Sequence, residues 1–332
     1  MKALVYDYDV PDKMTWEDNH PIPEPPYGHV KVKVMAASLN PFDYKVPEIP
    51  GLARTRRETP VGSDFSGRVV KLAAGVTGVK EGDYVFGSTS GSLAEFCIAK
   101  QCNIAVLPEK CNVDEAAAYP LAALTAYQGL KIAEVIGCMQ AKKILILGAA
   151  GGVGHFAIQM AKKCGSPGNH IVGVCAREHE DFVKSLGANE TLDYTRRGFD
   201  VSHCVCDCDV VFDTVSHTGF DYEPVARKCL KWGGKYVATN SANTSDWVRA
   251  SISSTVGLNF QRGGYHLFMT DVNTDDLKKV AGHIARNEIK ACISKKVNFT
   301  EKECFDAMDT LMSARMKGKI LITMSSAPSH NQ

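Results

Sequence analysis

The sequence predicts an α/β protein in which a doubly wound, dinucleotide-type domain is inserted into a second, β-rich domain. Three observations lead there. The stretch KKILILGAAGGVGHFAIQMAKKCG (142–165) runs from an apolar strand through a glycine cluster into an amphipathic helix. Strands of about six residues then alternate with helices of about ten, the pattern of a parallel sheet covered on both faces. The flanks read differently, as short strands and turns before this region and as helix and strand pieces after it. A chain of 332 residues is also long for one hydrophobic core, which favours two domains. The expected boundaries are 1–124 and 268–332 for the β-rich domain and 125–267 for the inserted one.

Each element follows in order. KALVYDY and HVKVKVMAASLN alternate or run apolar, and Pro21, Pro23, Pro25 and Pro26 separate them as an extended loop. GSDFSGRVVKLAAGVTGVKEGDYVFG repeats the theme, with turns at Gly75, Gly78 and Gly82. LAEFCIAK and NIAVLPE add strands to a β-rich, partly closed barrel. After Pro108, NVDEAAAYPLAALTAYQGLKIAEV reads as helix, capped by Asn112 or Asp114. Strand–helix pairs come next: KILILG with GHFAIQMAKKC, HIVGVC with HEDFVKSLG, DVVFDTV with FDYEPVARKCL, and GKYVAT with SDWVRASI. From about Thr270 the chain gives TDDLKKVAGHIARNE, KKVNFT, EKECFDAMDTLMSAR and GKILITM.

Composition narrows the function. A net charge of +1 gives no reason to expect nucleic acid or an anionic membrane as partner. No apolar run approaches the roughly 20 residues that span a bilayer. The amino terminus starts with strand-like alternation and acidic residues rather than a targeting segment, so a cytoplasmic protein is expected. Twelve scattered cysteines suit a reducing compartment. Their one cluster, CVCDCD, is C-x-C-x-C rather than the C-x2-C pair of a structural zinc site, and is read as surface loop and strand start.

The glycine turn places Ala149, Gly151 and Gly154 in the three slots of a dinucleotide fingerprint, as A-x-G-x-x-G, with Gly148 and Gly152 giving extra room. Its alternative is a tight turn that binds nothing; the strand series that follows favours a dinucleotide. Ala150, Gly151, Gly152, Val153 and Gly154 are the expected pyrophosphate contacts, facing a helix N-terminus. Where an NAD enzyme carries an acid at the end of the second strand, this chain has Cys175 and Ala176 followed by Arg177. A guanidinium there suits the 2′-phosphate of NADPH, with His179 assisting, while Glu178 is the counter-argument for NADH.

GAAGGVG, VGSDFSGRVV, GVKEGDYVFG, SLAEF and LAALTAYQGL together resemble the medium-chain dehydrogenase/reductase superfamily, and within it the zinc-free quinone oxidoreductase branch near zeta-crystallin and the plant alkenal/enone reductases. The resemblance runs from Lys2 to GKILITM. It implies a GroES-like substrate domain split around a Rossmann domain, with the active site in the cleft between them. Zinc-dependent members carry Cys where this chain has Asn40 and His-Glu where it has Ser63-Asp64, so no zinc is expected. The loop NPFDYK resembles the active-site segment of the zinc-free branch, which makes Asn40, Tyr44 and Lys45 the candidate catalytic residues, Tyr44 and Lys45 being alternatives for stabilising a developing enolate or phenolate oxygen. Asp64 is read as a structural carboxylate.

The resemblance also implies cofactor contacts from Thr125 and Tyr194; Thr214 is expected as one from its place at the carboxyl edge of its strand, where this fold binds its ligand, and Lys319 as a residue returning near the cofactor. The competing readings are a helix-start threonine for Thr125 and a surface lysine for Lys319. Cys175 is read as a packed strand-end thiol. The expected activity is NADPH-dependent hydride transfer to a quinone or an α,β-unsaturated carbonyl. An enoyl-thioester reductase and a non-enzymatic NADPH-binding protein are the alternatives. The resemblance further implies a homodimer, paired along an edge strand near GLNFQRGGYHLFM.

Overall fold

The computed structural model describes residues 1–10, 12–48, 53, 55–109, 111–216, 221–240 and 264–324. The chain divides into two compact units. The first comprises Met1–Ala122, Val272–Arg286 and Ala291–Gln332, the second Ala123–Asp271 and Asn287–Lys290.

In the first unit, β1 (Ala3–Tyr6) and β2 (Met14–Glu17) form a two-stranded antiparallel sheet. β3 (His29–Ser38), β4 (Asp64–Leu72), β5 (Tyr84–Ser88), β6 (Phe96–Lys100) and β7 (Ile104–Val106) belong to a larger one. The second unit follows with β8 (Lys143–Leu147), β9 (His170–Cys175), β10 (Glu190–Asp193), β11 (Cys208–Asp213), β12 (Leu230–Ala238) and β13 (Tyr265–Leu267). β14 (Ile293–Asn298) and β15 (Lys319–Thr323) return to the first unit and complete the order β14-β15-β3-β4-β5-β7, with β6 paired to β3.

β3 shows how the sequence shapes the first unit. Along HVKVKV the valines are buried and the lysines are not, the period of two that a one-sided strand requires. At Ala36–Ser38 the alternation stops and every residue is buried. A register shift between Val34 and Ala36 against β4 accompanies the change. The buried end lies between two partners: Ser38 pairs with Asp64 on β4 and with Leu321 on β15.

The second unit is a single parallel sheet in the order β10-β9-β8-β11-β12-β13. The chain order reverses at β8, flanked by β9 and β11, so the switch point where such sheets bind ligands lies at the carboxyl end of β8. The glycine turn begins there.

Three local features differ from expectation. β10, sequence ETLD, is too polar to read as a strand, yet it pairs with β9. The long Ala/Leu-rich helix is two helices, Val113–Ala116 and Pro120–Ile132, because a proline cannot continue the hydrogen-bond ladder of a preceding turn. Asn112 caps the first of them, accepting from the Glu115 N–H at 3.2 Å. The helix after β11 shortens to Glu223–Ala226 followed by a tighter turn over Arg227–Cys229. The expected helix SDWVRASI and the start of the GLNFQRGGYHLFM segment lie outside the described residues. Among the described residues, no helix is long and apolar enough to cross a membrane.

Candidate active site

The first unit brings together side chains from three distant segments. Past Ser38 the chain leaves β3 through Leu39 and Asn40 and enters the helix Pro41–Lys45. Asn40 is extended, the conformation of an N-cap; Pro41 supplies the fixed φ favoured at the first helical position. Asp43, at the third helical position, reaches back to accept from the Asn40 backbone N–H at 2.8 Å. The register of β15 on β3, continued by Leu39 N donating to Ile320 O at 3.2 Å, sets Lys319 opposite Asn40. Gly62, at φ +94°, makes the turn into β4; a Cβ there would lie 2.4 Å from Ser92 Oγ, so glycine is required. Ser63 and Asp64 follow it.

The result is a buried polar cluster. The Lys319 ammonium donates to Leu39 O at 2.9 Å and Asn40 Oδ1 at 2.5 Å, and stands 3.6 Å from Asp64 Oδ2. Asn40 Nδ2 donates to the same Asp64 oxygen at 2.9 Å, and the Leu121 N–H donates to the other at 3.0 Å. Ser63 Oγ donates to Asp43 Oδ1 at 2.6 Å. Lys319 is 3% exposed and Asp43 1%, which overturns the surface reading of Lys319. Burial raises the Asp64 carboxyl and lowers the Lys319 ammonium, while their mutual attraction works against both shifts. Burial pushes Asp43 up to about 7, against the pull of Ser63 and the Asn40 N–H. In the sequence, Asp43 is marked only by the N-x-x-D spacing of a capping box, a signal that the local reading of NPFDYK did not use.

Tyr44 and Lys45 stand apart from this cluster. Tyr44 is half-buried against the apolar cluster that includes Leu39, Val46 and Ile320. The Lys45 ammonium lies 5.8 Å from the Tyr44 ring centroid. Burial raises the Tyr44 hydroxyl and lowers the Lys45 ammonium. Neither side chain hydrogen-bonds to a described residue.

In the second unit the site is main chain. A Cβ on Gly154 would lie 2.2 Å from Gly148 O and 2.8 Å from Ala149 Cα, so only glycine lets the helix Gly154–Lys163 start this close to β8. The Gly151 N–H donates to Gly148 O at 3.0 Å, and buried His155 braces the turn through Nδ1 on Gly151 O at 2.9 Å. Val153, at the cap position, gives the helix no side-chain cap, and the His155 N–H donates to Gly151 O at 3.1 Å; the positive end of the helix dipole lies at the turn. Ala150 is buried; Gly151, Gly152 and Val153 are half-buried.

The neighbouring strand ends carry the other expected contacts. Ala176 follows β9 and leads into the turn Arg177–His179. Arg177 is exposed and no described residue pairs with its guanidinium, while Glu178 Oε1 lies 3.5 Å from His179 Nε2. Tyr194 follows β10, is 45% exposed, and is tied to β9 by its N–H on Cys175 O at 3.2 Å. The Thr214 hydroxyl is committed to Leu147 O at 2.7 Å and braces β11 against β8. Asp213 accepts from the Val215 and Ser216 N–H groups at 2.9 and 3.0 Å and from Tyr236 Oη at 2.6 Å. Thr125 sits inside the helix Pro120–Ile132, not at its start, with its Oγ1 2.6 Å from that of Thr270. The Cys175 thiol is buried and pushed up to about 11, which makes it an inert packing group.

Comparison with known proteins decides the family. Residues 26–122 match the alcohol dehydrogenase GroES-like domain, and residues 186–322 the zinc-binding dehydrogenase family. Over 97% of this chain and 79% of its own length, the tomato (Solanum lycopersicum) protein 2-methylene-furan-3-one reductase is 32% identical. The chain is a medium-chain dehydrogenase/reductase. Another relative of this dehydrogenase/reductase, at 32% identity and the same coverage of both chains, is the Arabidopsis thaliana NADPH-dependent alkenal/one oxidoreductase, chloroplastic. Among solved structures, the quinone oxidoreductase from Coxiella burnetii superposes with a TM-score of 0.83 at 27% identity, over 98% of this chain and 99% of that one.

Proposed function

We propose that this dehydrogenase/reductase uses NADPH to reduce a quinone or an α,β-unsaturated carbonyl compound, without a metal. The observation that carries the cofactor assignment is the glycine turn, where only glycine fits at position 154, with a helix N-terminus behind it and, at the next strand end, Arg177, whose guanidinium no described residue pairs with, where an NAD enzyme carries an acid. Tyr194 adds an exposed ring after the adjoining strand. The names of the two relatives matched over 97% of this chain support the acceptor class.

When bound, NADPH supplies the hydride; the chain's residues bind it, orient the acceptor and offset charge on oxygen. Ala150–Gly154 hold the pyrophosphate and Arg177, with His179, the 2′-phosphate. Asn40 lies at the acceptor, with Tyr44 or Lys45 offsetting the negative charge that hydride addition leaves on the carbonyl oxygen. Thr125 and Thr214 position the nicotinamide end.

The cluster around Lys319 does not fit zinc. Asn40, Ser63 and Asp64 offer an amide, a hydroxyl and one carboxylate, without thiolate or imidazole. That carboxylate already faces an ammonium, which a metal ion would have to displace against charge repulsion. No described cysteine is in a disulfide, which supports a reducing compartment, the cytoplasm or a plastid stroma. A homodimer paired along β13, at the end of the described sheet order, belongs to the same reading.

The test is oxidation of NADPH and NADH against a naphthoquinone, an alkenal and crotonyl-CoA. Turnover with NADPH and the alkenal or quinone is expected. Preference for crotonyl-CoA moves the enoyl-thioester reading ahead. NADPH binding with no turnover on any acceptor leaves a binding protein. Tyr44→Phe and Lys45→Met separate the two candidates for charge stabilisation: the one that lowers kcat with KM for NADPH unchanged carries it.

A further inference from the structure

The choice of partners around Lys319 is informative. Its ammonium meets the oxygen of the Asn40 carboxamide, and the nitrogen of that carboxamide meets the carboxylate of Asp64. The amide therefore bridges a cation and an anion with its dipole aligned between them. Turned over, it would set its NH2 against the ammonium and its oxygen against the carboxylate, two repulsions in a place water does not screen. Asp64 is itself fixed from the other side by the Leu121 N–H, and Lys319 by Leu39 O. What Asn40 retains is one lone pair on Oδ1 and a second Nδ2 hydrogen that donates to Ser38 O at 3.5 Å, a long bond that a ligand oxygen can replace.

We propose that Lys319 is a positioning residue: paired with Asp64, it locks the Asn40 carboxamide in one orientation, so that the second N–H and the remaining lone pair are preformed for the acceptor. What Asn40 then binds rests on the reductase reading above; the lock itself is a property of the first unit. The lysine forms no bond to substrate in this scheme and acts through Asn40.

Lys319→Met alone strands a buried carboxylate, so the decisive variant is Lys319→Met/Asp64→Asn, which removes the ion pair whole. It is expected to fold and to bind NADPH with unchanged Kd, but to lose about 100-fold in kcat, the scale of a displaced positioning group. In an Asn40→Ala background the same two changes are expected to cost nothing further, because their effect passes through Asn40. Independently of turnover, the side-chain amide protons of Asn40 are expected to be shifted away from free-amide values and protected from solvent exchange in the wild type, and to return to free-amide shifts with fast solvent exchange in the double variant. Retained kcat in the double variant, losses that multiply with Asn40→Ala, or a weakened NADPH Kd at full kcat would each overturn the proposal. Should the wild type reduce no acceptor, the reductase reading falls while the Asn40 signals still decide the lock.

Discussion

In the second unit the candidate site is made of backbone, a strand end, a glycine turn and a helix N-terminus, and side chains at Thr214 and His155 brace it from behind. In the first unit the candidate site is made of side chains, and its members Asn40, Asp43, Ser63, Asp64 and Lys319 come from three segments up to 279 residues apart. The backbone site tolerates change wherever a Cβ has room and fails where it has none. The side-chain site is a closed set of charges, and removing one member leaves the others exposed to the full cost of burial.

The largest effect expected from that contrast is at Lys319. Lys319→Met should destabilise the chain by about 3–5 kcal/mol, the cost of leaving a buried carboxylate without its cation, and adding Asp64→Asn should recover most of it. Denaturant melts of the two variants check this; equal stabilities would mean that Asp64 is protonated regardless of Lys319. Next is Gly154→Ala, where the new methyl meets Gly148 O and Ala149 Cα, backbone that cannot swing away. A loss of about 3 kcal/mol is expected, with NADPH binding weakened alongside. Gly151→Ala, whose Cβ would meet only Gly148 O at 3.2 Å, should fold as the wild type does and lose NADPH affinity alone.

Asp43 sharpens the comparison through pH. Its folded pKa of about 7 is raised, so the stability it contributes is present at low pH and is lost as pH rises through 7. The wild type should lose about 2 kcal/mol between about pH 5.5 and 8.5 that Asp43→Asn, a mimic of the protonated form, does not lose. Parallel pH profiles for the two would place the Asp43 pKa near the ordinary carboxylate value. The smallest expected effect is Arg177→Ala, about tenfold in KM for NADPH with kcat and stability unchanged, since an exposed guanidinium contributes only its charge-assisted contact. A tenfold loss with NADH as well would assign Arg177 to the shared part of the two cofactors.

The sequence by itself determined whatever depends on local pattern. The valine–lysine alternation of HVKVKV, the strand–glycine–helix run at 142–165 and the succession of short apolar strands each constrain their own neighbourhood, through periods of two and 3.6 and through the steric freedom of glycine. The position of Arg177 was legible for the same reason, because it is counted from the fingerprint along the chain. β10 was missed because ETLD is polar, and its pairing with β9 is a property of the sheet rather than of the segment. Only the tertiary structure decided the first unit's site. Nothing near Lys319 in the sequence marks it as buried, and GKI reads equally well at a surface. The antiparallel register of β15 on β3 and of β3 on β4 sets Lys319 and Asp64 beside Asn40, and that juxtaposition of charges, absent from any local window, makes a lysine stable in the interior.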